Sequence, residues 1–97
     1  MIAATRFYQS KTVYPDGHII EMTIWLVPSP VPGSAHGFKY RLFFGRMGER
    51  IVGYDNERGK GDHKHIRGQE TAYRFTTPEK LMADFIADVR RNGGDKL

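Results

Sequence analysis

The chain has 97 residues, 39% hydrophobic and 12% aromatic, which suits one domain over residues 1–97 with a modest core and excludes a second. It contains no cysteine, so disulfides and thiolate metal sites are excluded, and no apolar run nears the ~20 residues of a membrane span. A formal net charge of +4 favours an anionic partner, nucleic acid or an acidic protein, over a membrane.

The N-terminus lacks the pattern of a signal peptide, and a cytoplasmic location is expected. "TRFYQSKTVY" is rich in aromatic and β-branched residues and reads as a strand. It ends at Pro15-Asp16-Gly17, where a fixed proline φ, an aspartate acceptor and a glycine predict a hairpin turn. Beyond it Ile20, Met22, Ile24 and Leu26 alternate with Glu21 and Thr23, the period of a strand with one apolar face. "VPSPVPGS" stacks three prolines, which cannot donate to a ladder, so an extended connector follows. A third strand is expected where Phe38, Tyr40, Leu42 and Phe44 alternate with Lys39, Arg41 and Phe43, and "GRMGER" turns it back into "IVGY".

After that comes "YDNERGKGDHKHI", expected as a loop because Gly59 and Gly61 break regular structure and its charge opposes burial. A short strand is expected at "AYRF". In "TTPEKLMADFIADVRRNGG", Thr77 is placed to cap a helix, Pro78 to open it, Glu79 to sit in its first turn and Gly93 to end it. Leu81, Met82, Phe85, Ile86 and Val89 form the apolar stripe of that helix, and the meander is the only large surface available to cover it. The expected fold is α+β: a twisted antiparallel β-meander of about four or five strands, with one C-terminal helix packed on one face. Residues beyond Gly93 are expected to fray.

The polar run concentrates chemistry. Histidine exchanges protons near neutrality, so His63 and His65 are acid-base candidates. In an extended segment their rings project from one side about 6.6 Å apart, leaving room for a phosphoryl group. Lys60 would offset phosphoryl charge, its glycine neighbours would let backbone N–H groups approach an anion, and Asp55 or Asp62 could orient an imidazole. These parts would serve RNA cleavage without a metal. Two other readings stand beside that one: an ordinary solvated turn, and a Zn²⁺ or Mn²⁺ site built from His63 and His65 with Asp62, Asp55 or the distant His36. A nucleotide-binding P-loop is excluded, because Tyr54 stands where its first glycine would fall and Gly61 replaces its Ser or Thr.

Lys39, Arg41 and Phe43 share one side of the third strand, and Trp25 shares a side with Glu21 and Thr23 on the second. With Lys64 and Arg58 they could form a surface for single-stranded RNA, cations meeting phosphates and rings meeting bases. The alternative is that Trp25 and Phe43 pack under the proline-rich loop or at a homodimer contact.

"PDGHIIEMTIWLVPSPVPGSAHGFKYRL", "YDNERGKGDHKH" and "YRFTTPEKLMADFIADV", in this order, make the sequence resemble the TumE family of toxins from prokaryotic toxin-antitoxin modules. The resemblance covers nearly the whole chain and is most specific at Tyr54-Asp55-Asn56 followed by Gly59-Lys60-Gly61-Asp62-His63 and His65. It implies a small growth-inhibiting toxin, silenced by a helix-turn-helix antitoxin encoded beside it, with ribonuclease activity as the usual proposal for the family. The expected activity is therefore RNA cleavage. A non-catalytic nucleic-acid- or protein-binding module and a divalent-metal-dependent nuclease are the alternatives.

Overall fold

The structure, a computed structural model, describes residues 4–94. Six strands, β1 (Thr5–Val13), β2 (Ile19–Leu26), β3 (Phe38–Arg46), β4 (Glu49–Asp55), β5 (His63–Ile66) and β6 (Gln69–Ala72), precede the helix α1 (Pro78–Val89). The strands form one antiparallel sheet in chain order. The meander and its C-terminal helix are as the sequence leads one to expect, but the strand number is six. The polar run supplies the difference, since only residues 56–62 loop, between the end of β4 and His63. From His63 onward the chain pairs with β4, then reverses through Arg67 (φ 47°) and Gly68 (φ 85°) into β6. Two successive left-handed residues match the right-handed twist of the flanking strands. The strand expected at "AYRF" lies earlier, ending at Ala72. The expected fraying of the last residues falls on 95–97, outside the described residues.

Alternation sorts each strand into two faces. Ile20, Ile24, Tyr40, Leu42, Phe44, Val52 and Tyr54 are buried on one of them and pack with Leu81, Phe85 and Val89 of α1. Each large apolar side chain fully removed from water contributes about 1.5–3 kcal/mol, so this single layer carries the fold. Among the described residues no helix is long and apolar enough to cross a membrane.

The helix starts where the sequence places it. Thr77 is extended (φ −137°, ψ 157°) and its hydroxyl accepts the Lys80 N–H at 3.1 Å. Its end loosens into a wider turn over Arg90–Gly94, with Gly93 at φ 107°. Thr77→Ala should cost about 1 kcal/mol, read as a fall of ~4–8 °C in Tm.

A polar knot ties helix to sheet. Asp88 is buried and accepts hydrogen bonds from the Tyr54 hydroxyl, from Lys64 Nζ at 3.1 Å and from Arg91 at 2.6 Å. Burial pushes the Asp88 carboxyl up, but the Tyr54, Arg91 and Lys64 donors outweigh it and hold the carboxyl below its usual value. Lys64, expected among the nucleic-acid contacts, thus points to the helix side: strand alternation turns it away from its histidine neighbours.

Candidate metal centre on the open sheet face

The second face has no helix over it among the described residues. Register carries a row across it, Gln9–Thr23–Arg41–Asp55–His63–Ala72, one residue from each strand. A parallel row pairs Gly53 with His65 and His65 with Glu70. Asp55, His63, His65 and Glu70 therefore come from three neighbouring strands onto one patch. The two imidazole centroids are 5.1 Å apart. Ligand-capable atoms of Asp55, His63 and His65 all lie within 4.8 Å of one another.

The protonation of His63 follows from its partners. Its Nδ1 lies 2.9 Å from the Gly61 carbonyl, which can only accept, so Nδ1 carries the proton. In a neutral ring Nε2 then presents a lone pair, and Nε2 abuts Asp55 Oδ1. That oxygen is buried and receives no hydrogen bond from the described residues, the contact with His63 included. Two acceptors in such contact are reconciled by a proton on Nε2, and a cation held by both would need the pair to part slightly. A backbone carbonyl fixing the far nitrogen is also the usual support of a metal-binding histidine.

His65 is biased toward its neutral form. Burial, and after it the Arg50 cation, lower its pKa below the ordinary histidine value against the opposing pull of Glu70 and Asp55. Arg50 reaches this face because Gly53 has no side chain: a Cβ there would stand 2.5 Å from Arg50 Cδ. Glu70 Oε2 lies 3.0 Å from His65 Nε2 and 3.4 Å from His63 Nε2, and its side chain is 44% exposed. It stands at the mouth of the site.

The remaining expected residues scatter around this core. Lys60 is exposed and borders a groove with His63, Glu70 and Thr71. Asp62 does not join the imidazoles of the H-x-H pair. Its Oδ1 accepts from Tyr40 Oη at 2.7 Å and lies 2.7 Å from His36 Nε2, whose Nδ1 in turn accepts the Phe38 N–H at 3.2 Å. His36 also stacks on Phe75, centroids 3.7 Å apart. Lys39 and Arg41 lie on the open face beside Asp55, bordering a shallow cavity with it, whereas Arg58 flanks the proline-rich connector together with Lys39.

That connector and the glycine loop are clamped. Gly59 N–H donates to the Pro32 carbonyl at 2.6 Å. Gly33 (φ 99°) and Gly61 (φ 75°) touch so closely that a Cβ on either would fall 2.8 Å from the other's backbone. Buried Asn56 completes the clamp, accepting from Tyr40 N–H at 2.9 Å and donating to the Phe38 carbonyl at 2.8 Å. The Gly61 carbonyl that orients His63 is therefore fixed from both sides.

Sequence reasoning passes over Glu70 and Arg50. Reading Arg67-Gly68 as a hairpin turn would have placed Glu70 opposite His65. Arg50 had no comparable signal, since only the bare Gly53 beside it makes its approach feasible. Among known families, residues 2–92 match the model described as Toxin TumE. No curated protein and no solved structure matches the chain.

Proposed function

The chain belongs to the TumE toxin family, and on that premise we propose that it is the toxin of a toxin-antitoxin pair and cuts RNA with a divalent cation held by Asp55, His63 and His65. One observation carries the metal reading: Asp55, His63 and His65 bring donor atoms within 4.8 Å of one another, with the His63 ring anchored by a backbone carbonyl and the buried Asp55 Oδ1 accepting no hydrogen bond from the described residues. Two imidazoles and a carboxylate are a donor set for Zn²⁺ or Mn²⁺. Such an ion supplies Lewis acidity toward a phosphoryl oxygen.

The chain's own groups do the rest. Asp55 and the imidazoles hold the cation, with His65 biased toward the neutral, ligating form by burial and Arg50. Glu70, solvent-facing and within reach of both rings, is placed to hold or move a proton at the mouth. Lys60, Lys39 and Arg50 bring positive charge to the RNA backbone, whereas Asp62, at the edge of the same groove as Lys60, is taken up by Tyr40 and His36. The partner that silences the chain would be the helix-turn-helix antitoxin, and both would meet in the cytoplasm.

A metal-free route, in which His63 and His65 exchange protons, draws on the 5.1 Å separation of their rings. It fares worse because His63 is only 5% exposed and its Nδ1 is committed to Gly61. Chelation separates the readings. Purified protein should lose RNA cleavage in EDTA and regain it with Zn²⁺ or Mn²⁺. Cleavage that persists in chelator moves the chemistry to the histidines alone, and salt-sensitive RNA binding without turnover makes the chain a binding module.

A further inference from the structure

The open face holds a second feature, two strands away from the Asp55–His63–His65 cluster. Glu21, Thr23, Trp25, Arg41 and Phe43 line a cavity of about 220 Å³. We infer that this cavity binds a guanine base of the RNA substrate, with Trp25 and Phe43 as its apolar walls, Glu21 as the acceptor for N1–H and N2–H, and Arg41 as the donor to the O6/N7 edge. This deepens the proposed ribonuclease function and rests on it for the identity of the polymer.

Position comes first. Arg41 sits opposite Thr23 on one side and Asp55 on the other, so the cavity and the cluster are joined by a continuous row of side chains. Their separation is about two strand spacings, roughly 10 Å. A base held at the cavity would leave its own backbone on the side toward the cluster. Size comes second. The volume falls below the ~300–1,000 Å³ of pockets for drug-sized ligands and suits a single ring system.

Chemistry then selects among the bases. Trp25 and Phe43 are both half-buried, offering ring surface that a base can stack on. Glu21 and Arg41 form no ion pair among the described residues, and Lys11, opposite Glu21 in register, forms none with it. An ionised carboxylate only accepts and a guanidinium only donates. Guanine is the base that offers two adjacent N–H donors on one edge and the O6/N7 acceptor pair on another, the pair that arginine grips with two hydrogen bonds. Adenine, cytosine and uracil each give a carboxylate a single nitrogen donor.

Trp25 is the chain's only tryptophan, so its fluorescence reports on the cavity without any catalysis. Titrating the full chain with GMP, IMP, AMP, CMP and UMP should quench Trp25 at lower concentration with GMP than with the others. IMP, which lacks the N2 donor, should bind more weakly. Glu21→Gln, checked for folding by circular dichroism, should reduce the preference for GMP over AMP by about tenfold or more. Trp25→Phe should keep binding, measured by competition with a fluorescent guanine nucleotide, and Trp25→Ala should weaken it by about tenfold. Equal affinity for all five nucleotides, or a preference for GMP that survives Glu21→Gln, overturns the inference. Should the chain cut RNA with no regard to guanine, the cavity assignment fails while the proposed activity stands. Should it bind GMP selectively and cut nothing, the activity fails while the cavity assignment stands.

Discussion

His65→Ala should lower RNA cleavage by about a hundredfold or more while leaving Tm nearly unchanged. His65 is the better probe of the centre because its loss strands no buried charge. Its imidazole is 15% exposed and pairs with a Glu70 that already faces solvent. Removing it would delete one of the three proposed ligands and nothing from the hydrophobic core. His63→Ala differs: it would also strip the buried Asp55 carboxylate of the ring nitrogen that it contacts, which costs stability as well as activity. The pair of variants therefore separates chemistry from folding. A His65→Ala protein that cleaves at the wild-type rate across metal concentrations would remove His65 from the centre.

The largest effect on stability is expected at Asp88. Asp88→Ala deprives the Tyr54 hydroxyl and the Lys64 ammonium of their acceptor beneath the helix, and breaking a buried charged pair of this kind costs about 3–5 kcal/mol. Arg91 adds little, being largely exposed. A chain of this size has on the order of 5–15 kcal/mol in total, so Tm should fall by at least about 12 °C. Asp88→Asn tests the charge. Because the folded carboxyl is held below its ordinary value, its contribution is complete above the unfolded value of ~3.9 and disappears as pH falls through the lower folded value. Thermal melts at pH 6 should separate Asp88→Asn from the wild type, and the gap should close in strong acid. A gap that stays constant would show that the carboxylate's charge contributes nothing.

Features repeated along the chain were legible in the sequence. Ile20, Ile24, Tyr40, Leu42 and Phe44 announce their strands by alternation, and Thr77-Pro78 announces the helix. Even the shared direction of His63 and His65 follows from their spacing. What stayed hidden depends on contacts between distant positions. "HKHI" is four residues with one apolar side chain, too short a pattern to reveal a strand, and it pairs only because the glycines before it let the chain double back onto β4. Asp62 is adjacent to His63 in sequence yet bonds to His36, 26 residues away. Asp88 sits among helical residues that read as polar surface, and its hydroxyl partner is 34 residues distant. Periodicity describes which face a residue takes, but long-range polar partners are set by which faces meet.

The bare contact between Gly33 and Gly61 ties the mutational fate of two segments together. Neither can accept even a methyl group unless the other retreats, and a retreat at Gly61 would swing the carbonyl that sets the His63 tautomer. Drift in a proline-rich stretch that supplies none of the proposed ligands would thus be read out as lost chemistry. A laboratory selection for active variants should therefore keep both positions bare, while tolerating change at the neighbouring, solvent-facing Arg58.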